Sequence, residues 1–153
     1  CRVSDRRSIV SVAQAHIWHL PRLLGILWAG TRGQGPVARR RDEDARAMAK
    51  VILQGKVQLW RSEGRARAFL VRDGVRIHAL YTSPDWRGQG GGAALVGRAQ
   101  DQIGRLELYA AEHNSGARQF YLRHGFREVS RSHGAGNDEG IPDILMAWER
   151  PMG

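Results

Sequence analysis

The stretch IHALYTSPDWRGQGGGA, residues 77–93, decides the fold of this chain. Apolar, aromatic and β-branched residues dominate 77–82, which predicts a β-strand. The segment 84–91 is rich in glycine and predicts a loop. Apolar residues then recur on one face of 92–103, which predicts a helix. Because a helix that follows a glycine loop presents unpaired N–H groups at its start, the stretch predicts an anion-binding site.

The segments around this stretch predict the rest of a sheet. Two strands precede it, at 57–61 and 66–71, and the pairs Glu63-Gly64 and Asp73-Gly74 favour tight turns between the three strands. The middle of the chain is therefore predicted to be an antiparallel meander. The other predicted elements are a strand at 8–13, helices at 16–28, 42–53 and 115–124, strands at 105–111, 126–131 and 144–149, and loops at 31–37 and 133–143. The apolar face of 42–53 comprises Ala45, Met48, Ala49, Ile52 and Leu53. A meander followed by a helical crossover predicts a mixed sheet and an α+β fold.

The composition is that of an ordinary globular domain. The chain has 153 residues and a mass of 17.1 kDa, so we expect one domain over residues 1–153. No apolar run reaches the roughly 18–20 residues that a membrane span needs, and the N-terminal residues lack the order of a signal peptide. We therefore expect a cytoplasmic protein with no membrane partner. The one cysteine, Cys1, excludes an internal disulfide and a cysteine metal cluster.

The charge is strongly positive and its pattern is unusual. The formal net charge is +9, and all but Lys50 and Lys56 of the 24 basic residues are arginine. The arginines are spread along the chain, whereas a nucleic-acid-binding protein concentrates its charge and interleaves aromatic residues. This spread favours a compositional bias over a nucleic-acid partner. An anionic ligand such as a phosphate or coenzyme A stays open.

The glycine loop excludes two nucleotide-binding motifs. No lysine follows the glycines, which excludes a P-loop. Gly88, Gly90 and Ala93 match the dinucleotide pattern G-x-G-x-x-A, but an antiparallel meander precedes them instead of the strand that opens a βαβ unit. The pattern that remains is Arg-x-x-Gly-x-Gly, formed by Arg87, Gly90 and Gly92. Such a loop suits a pyrophosphate.

Together with the preceding strand, this pattern closely resembles the acyl-coenzyme A loop of the GNAT superfamily of N-acetyltransferases. A second segment, EHNSGARQFYLRHGF at 112–126, resembles that family's other signature. The two motifs occur in the family's order and spacing, and the likeness covers about residues 56–149. It implies a mixed, mostly antiparallel sheet of six to seven strands flanked by about four helices. It also implies transfer of an acetyl group from acetyl-coenzyme A to a primary amine by direct attack, with no metal.

The resemblance implies a role for each matching residue. Main-chain groups of Leu80, Tyr81 and Thr82 pair with the pantetheine arm, and an N–H near Leu80 polarises the thioester carbonyl. The residues implied to hold the pyrophosphate are Arg87, Gly88, Gln89, Gly90, Gly91, Gly92 and Ala93. Asn114, Ala117 and Tyr121 of the second motif belong to the cofactor site, and Asn114 also suits a helix N-cap. Tyr121 protonates the leaving thiolate. Its alternative is a core aromatic residue beside Phe120 and Phe126.

Several points stay open at the level of sequence. The general base is His78, which shares a strand face with Leu80, or Glu107 on the neighbouring strand. His113, His124, His133, Asp138 and Asp143 lack the spacing of a metal site. An acidic loop (Asn137, Asp138, Glu139 and Asp143) favours a cationic amine as acceptor. Trp18, Trp28, Trp60 and Tyr109 either wall an acceptor pocket or belong to the core or an interface. The apolar last strand could serve a homodimer. The alternative function is a non-catalytic module that binds acyl-coenzyme A or nucleic acid.

Overall fold

A computed structural model of the chain describes residues 11–31, 41–112, 114–132 and 142–151. Within these residues lie seven strands and four α-helices. The strands are β1 (Ser11–Gln14), β2 (Val57–Ser62), β3 (Arg65–Asp73), β4 (Arg76–Thr82), β5 (Arg105–Ala111), β6 (Arg127–Ser132) and β7 (Asp143–Glu149). The helices are α1 (Leu20–Thr31), α2 (Arg41–Leu53), α3 (Gly91–Gln102) and α4 (Ser115–Arg123). The strands form one sheet in the order β1-β2-β3-β4-β5-β7-β6, in which β4 and β5 are parallel. The predicted mixed, mostly antiparallel α+β fold is confirmed.

The chain forms two compact units. Among the described residues, the first unit comprises 11–31, 41–72 and 79–95, and the second comprises 73–78, 96–112, 114–132 and 142–151. The strand β4 contributes its first three residues to the second unit and the others to the first.

The first unit has its core between α1, α2 and the strands β2 and β3. Leu23, Val57, Leu59 and Phe69 are fully buried there, which removes their apolar surface from water. Two polar bonds fix the helices. The Arg22 Nε donates to the Ala66 carbonyl oxygen at 2.8 Å. The indole Nε1 of Trp28, on α1, donates to Asp44 on α2, also at 2.8 Å.

The helix α2 carries its charges where the helix dipole favours them. Asp42, Glu43 and Asp44 lie in its first turn and Lys50 lies in its last turn. Met48 and Ile52 are buried as predicted. The expectation that Leu53 belongs to the apolar face is wrong, because its side chain is 74% exposed. The chain turns at Gly55, which has a φ of +75°, and this turn follows Leu53 before a neighbouring element can cover it.

The second unit is built on β5, β6 and β7. Leu106, Leu108 and Ala110 are buried on one face of β5, and Glu107 and Tyr109 alternate with them on the more open face, as predicted. The strand β7 pairs with both β5 and β6 in antiparallel register. Arg150 closes the end of α3, because its Nη2 donates to the Gln100 carbonyl oxygen at 2.8 Å. Long-range bonds of this kind give several of the many arginines a structural role.

The boundaries of some elements differ from the predictions. The predicted helix 16–28 begins with a 3-10 turn, Ile17–His19, and continues as α1 to Thr31, so the expectation that Thr31 opens a loop is wrong. Pro21 lies in the first turn of α1, where a missing N–H breaks no helical bond. Asp143 starts β7 instead of ending a loop. The predicted strand at 8–10 and the predicted loops at 32–37 and 133–141 lie outside the described residues.

Candidate active site

The glycine loop of the first unit holds the residues predicted to bind a pyrophosphate. It starts at Ser83, whose N–H donates to the Arg67 carbonyl oxygen at 2.7 Å. One 3-10 turn, Pro84–Trp86, follows, and its last N–H donates back to Ser83 at 2.9 Å. Gly88 and Gly90 then adopt φ angles of +79° and +91°. Residues other than glycine are strained in that region, so these two positions require glycine. Residues 87–90 are exposed to solvent.

The loop ends in a helix N-terminus that no side chain of the described residues caps. The first helical bond runs from the Ala94 N–H to the Gly90 carbonyl oxygen at 2.9 Å. The N–H groups of Gly91, Gly92 and Ala93 precede that bond and have no partner within the helix. At the N-cap position, Gly90 brings no side-chain oxygen to accept from them, unlike the usual Ser, Asp or Asn. The first turn of α3 contains no acidic residue. These amides and the helix dipole therefore favour an anion here.

Trp60 packs against the start of this helix, and Trp86 packs against Trp60. Trp60, which is 3% exposed, contacts the backbone of Gly91 so closely that a Cβ there would lie 2.5 Å from the ring atom Cε3. The Trp86 ring meets the Trp60 ring edge-on, with 6.2 Å between centroids. The guanidinium carbon of Arg67 lies 4.4 Å from the centroid of the Trp86 ring, a cation–π geometry. Sequence reasoning left Trp60 open and missed Arg67, because no local pattern pairs a strand residue with a turn residue 19 positions further along the chain.

The strand residues Leu80, Tyr81 and Thr82 lie in the same unit, directly before this loop. All three are half-buried. The Tyr81 ring lies 5.7 Å from the ring of Phe69, and it packs against the core beneath α1 and α2. Thus the first unit brings together all of the predicted pyrophosphate residues and all of the strand residues predicted for the pantetheine arm.

The second unit holds the other predicted site residues. Asn114 caps α4, because its Oδ1 accepts from the N–H of Ala117 at 3.1 Å. The cap therefore involves Asn114 and Ala117, two of the three residues of the second motif that were predicted for cofactor binding. It uses the side-chain oxygen and leaves the amide nitrogen of Asn114 as a separate donor.

Tyr121 is buried on α4, with 8% of its surface exposed. Its ring meets those of Phe120 and Phe126 edge-on, at centroid distances of 5.1 Å and 5.3 Å. These ring contacts agree with the alternative interpretation of Tyr121 as a core aromatic residue. It does not conflict with proton donation, since a buried tyrosine can pack its ring and still use its hydroxyl. The turn after the helix requires Gly125, which has a φ of +89°.

The two candidates for the general base have different surroundings. His78 is exposed on β4. Glu107 is opposite Arg76 in the parallel register, and its Oε1 accepts from Arg76 Nη2 at 2.6 Å. The hydrogen bond from Arg76 is the main cause that lowers the pKa of Glu107 below its ordinary value. Glu107 is therefore ionised at neutral pH, and its proton affinity is reduced.

Arg76 is the residue near Glu107 that sequence reasoning missed. Its guanidinium carbon lies 4.8 Å from the centroid of the Tyr109 ring, and the hydrogen bond to Glu107 raises the pKa of Arg76. Glu107 and Arg76 are 31 positions apart, so the pair becomes visible only when β4 and β5 are adjacent. The predicted strand begins at Ile77, one residue after Arg76, and nothing in the sequence sets its register with the strand at 105–111.

The described residues include no cluster of three or more His, Cys, Asp or Glu side chains placed to hold a metal ion. His113, His133 and Asp138, three of the residues weighed for a metal, lie outside the described ranges. No helix in the described part of the chain has the length and apolarity to cross a membrane.

A comparison with known proteins identifies the family of this chain. A family model described as "Acetyltransferase (GNAT) domain" matches residues 40–128, more than half of the chain. An uncharacterized N-acetyltransferase of Methanocaldococcus jannaschii is 40% identical over 62 residues, which cover 37% of this chain and 27% of that protein. The chain thus matches about a quarter of the length of that relative.

Solved structures show the same fold. YjaB from Escherichia coli has a TM-score of 0.76 at 22% identity, with 94% of this chain and 99% of that chain covered. The PaiA N-acetyltransferase from Thermoplasma acidophilum, solved in complex with coenzyme A, has a TM-score of 0.67 at 16% identity, with 92% and 98% covered. At these identities the likeness concerns the fold alone, and the family match carries the assignment. This chain belongs to the GNAT acetyltransferase family.

Proposed function

We propose that this chain transfers an acetyl group from acetyl-coenzyme A to a primary amine, in one step within a ternary complex. The observation that carries the proposal is the start of α3. The N-cap residue is glycine, and the first turn of α3 contains no acidic residue. The N–H groups of Gly91, Gly92 and Ala93 have no partner within the helix. This arrangement suits a pyrophosphate. The acceptor is a small molecule or a peptide amine. The cytoplasmic location, the single domain and a homodimer stay predictions.

The cofactor is bound mostly by main-chain groups. Arg87 and the amides of residues 88–93 hold the pyrophosphate, and the loop residues 87–90 are exposed to solvent. The main chain of Leu80, Tyr81 and Thr82 pairs with the pantetheine arm as an added strand would. Asn114 supports the same arm with its amide nitrogen while its oxygen caps α4. Bound acetyl-coenzyme A supplies the activated acetyl group.

Residues of this chain then stabilise the charge that develops on the thioester and transfer the two protons of the reaction. The amine nitrogen attacks the thioester carbonyl carbon, a C–N bond forms, and the C–S bond breaks. The N–H of Leu80 stabilises the negative charge that develops on the carbonyl oxygen. Tyr121 donates a proton to the departing sulfur. The proton lost by the amine goes to His78, or through water to Glu107. The hydrogen bond from Arg76 lowers the pKa of Glu107, which makes Glu107 a poorer proton acceptor than an ordinary glutamate.

Calorimetric titration with acetyl-coenzyme A tests the proposal, with free coenzyme A and NADH as comparators. We expect one-to-one binding of acetyl-coenzyme A and little response to NADH. Arg87→Glu is expected to weaken binding by at least about tenfold, because it replaces a charge-assisted contact with repulsion. Arg98→Glu is the matched control, since Arg98 is an exposed arginine further along α3. Absence of binding, or an equal effect of both variants, would overturn the cofactor site.

Turnover separates the enzyme from a binding module. Release of free coenzyme A thiol should require an added amine and should fall in Tyr121→Phe. Binding of acetyl-coenzyme A without turnover on any amine would support the non-catalytic alternative. Binding of RNA that disappears at moderate salt would indicate nonspecific attraction by the arginines.

A further inference from the structure

Arg67, on β3, contacts the glycine loop at two places. Its carbonyl oxygen accepts from the Ser83 N–H at 2.7 Å, where the loop begins. Its guanidinium carbon lies 4.4 Å from the centroid of the Trp86 ring, at the end of the 3-10 turn that follows. The Trp86 N–H in turn donates to the Ser83 carbonyl oxygen at 2.9 Å. Arg67 therefore contacts both ends of the turn that opens the loop.

The guanidinium of Arg67 is itself held by its neighbours. Only 15% of the Arg67 side chain is exposed. Its Nε donates to the Ser62 carbonyl oxygen at 3.3 Å, and its Nη2 lies 3.8 Å from Oε2 of Glu63. A planar guanidinium can donate hydrogen bonds at its edge while its face lies on an aromatic ring. Because its Nε and its face are engaged within the chain, Arg67 is placed to act on a ligand through Trp86.

The contacts continue from Trp86 to the start of α3. The Trp86 ring meets the Trp60 ring edge-on, with 6.2 Å between centroids. Trp60 is buried and contacts the backbone of Gly91, the first residue of α3. The stack of Arg67, Trp86 and Trp60 thus connects the beginning of the glycine loop with its end.

Residues 87–90 lie between these two ends and are exposed to solvent. Gly88 and Gly90 adopt positive φ there, and glycine loses more conformational freedom on ordering than any other residue. Such a loop binds an anion more tightly when its ends already hold it in the binding conformation, because the ordering cost is then not subtracted from the affinity.

We propose that Arg67 is a positioning residue for the cofactor. Its guanidinium holds Trp86, and Trp86 holds the loop in the conformation whose amides bind the pyrophosphate. This inference rests on the proposed function, because it concerns the cofactor of that reaction. It adds that the contribution of Arg67 is confined to ligands that carry a pyrophosphate.

S-acetylpantetheine isolates this contribution. It has the thioester and the pantetheine arm of acetyl-coenzyme A and lacks the pyrophosphate. A displaced loop should weaken the binding of acetyl-coenzyme A alone, whereas a general loss of structure should weaken the binding of both ligands. The ratio of the two Kd values therefore separates positioning of the loop from a purely structural role.

The experiment is an NMR titration of the wild type and of Arg67→Met with each ligand. The substitution keeps a long side chain and removes the stacked cation. We expect the Kd of acetyl-coenzyme A to rise about three- to tenfold and the Kd of S-acetylpantetheine to stay unchanged. Arg65→Met is the matched control, because it removes the same charge from an exposed position on the same strand. An equal rise for both ligands, no rise for either, or an equal effect of Arg65→Met would overturn the inference.

A double variant tests whether Arg67 acts through Trp86. Trp86→Leu should weaken acetyl-coenzyme A binding as Arg67→Met does, and the two changes together should weaken it no further than the larger single effect. Fully additive effects would show that Arg67 acts on the ligand independently of Trp86, contrary to the inference. Trp86→Phe keeps a ring for the guanidinium to cover and should restore most of the affinity. If Arg67→Met fails to fold, the comparison of Trp86→Leu with Trp86→Phe tests the same stack with Arg67 in place.

The outcomes also separate this inference from the proposed function. If the wild type does not bind acetyl-coenzyme A, the proposed function fails and the role of Arg67 fails with it. If the wild type binds it and Arg67→Met keeps the same preference for acetyl-coenzyme A over S-acetylpantetheine, only the inference about Arg67 fails.

Discussion

Gly91→Ala is the substitution for which the structure gives the sharpest expectation. The added Cβ would lie 2.5 Å, 2.9 Å and 3.0 Å from three ring atoms of Trp60. Real Cβ atoms do not approach carbon that closely, so either the ring or the helix start must move. The ring has little freedom, because it is buried and its edge contacts Trp86. The start of α3 is therefore expected to shift.

The magnitude follows from two opposed terms. Overpacking of a buried site costs about 1–3 kcal/mol. Alanine is a better helix former than glycine by about 0.5–1 kcal/mol in a helix interior, and by less in the first turn. The net loss is about 1–2 kcal/mol in the free energy of unfolding, which corresponds to a fall in Tm of about 2–8 °C for a domain of this size. A displaced Gly91 amide should also raise the Kd of acetyl-coenzyme A about tenfold.

The assay pairs thermal unfolding, followed by circular dichroism, with calorimetric titration. Gly97→Ala is the matched control on the same helix, because a Cβ there meets no atom within 4 Å. That control should be as stable as the wild type or more stable, and its affinity should not change. Equal Tm values for Gly91→Ala and the wild type, or an equal loss in both variants, would refute the argument that Trp60 limits this position.

Three further predictions concern the second unit. Tyr121→Phe should lower kcat about 100-fold with the Tm and the Kd of acetyl-coenzyme A preserved, because the ring packing stays and the donor is lost; wild-type turnover would leave Tyr121 a core residue. Asn114→Ala should destabilise by about 1 kcal/mol through loss of the cap, whereas Asn114→Ser keeps a cap, so a weaker acetyl-coenzyme A complex in Asn114→Ser would isolate the binding role. Arg76→Leu should lower stability by about 1 kcal/mol or less at neutral pH, as partly exposed pairs do. Since the pKa of Glu107 is lowered in the folded chain, this stabilisation exists above its ordinary value and is lost as the pH falls through the lowered one. The Tm difference between wild type and Arg76→Leu should thus vanish in acid, and a constant difference would contradict the ion pair.

Local chemistry explains which parts of the fold were predictable. The alternation in β5 places Leu106 and Leu108 inside, and the Glu63-Gly64 turn follows from two residues that adopt positive φ. The exposed Leu53 was misplaced, because helical periodicity identifies a face but not the length over which a neighbour covers it. The extension of α1 to Thr31 was missed for a related reason. The glycines that follow favour a loop, yet tertiary packing continues a helix past residues of weak propensity.

The backbone features of the candidate site were predictable, because they are properties of consecutive residues. Gly88 and Gly90 need positive φ, and a helix start needs an anion or a cap. The side-chain contacts of the site were not predictable. Arg67 on Trp86 and Arg76 on Glu107 join positions far apart in sequence, and only the folded chain brings them together.

The arginines are spread evenly along the sequence, so in the sequence alone they resemble a compositional bias. In the fold, Arg22 bonds a strand carbonyl, Arg67 covers Trp86, Arg76 holds Glu107 and Arg150 closes α3. Each uses the planar guanidinium to make contacts that the single charged nitrogen of lysine would not reproduce. Arg87, exposed beside uncapped amides, makes a different use of the same group. The test of that difference is a pair of conservative changes. Arg67→Lys should lower the Tm, and Arg87→Lys should leave the Tm in place and weaken acetyl-coenzyme A binding alone.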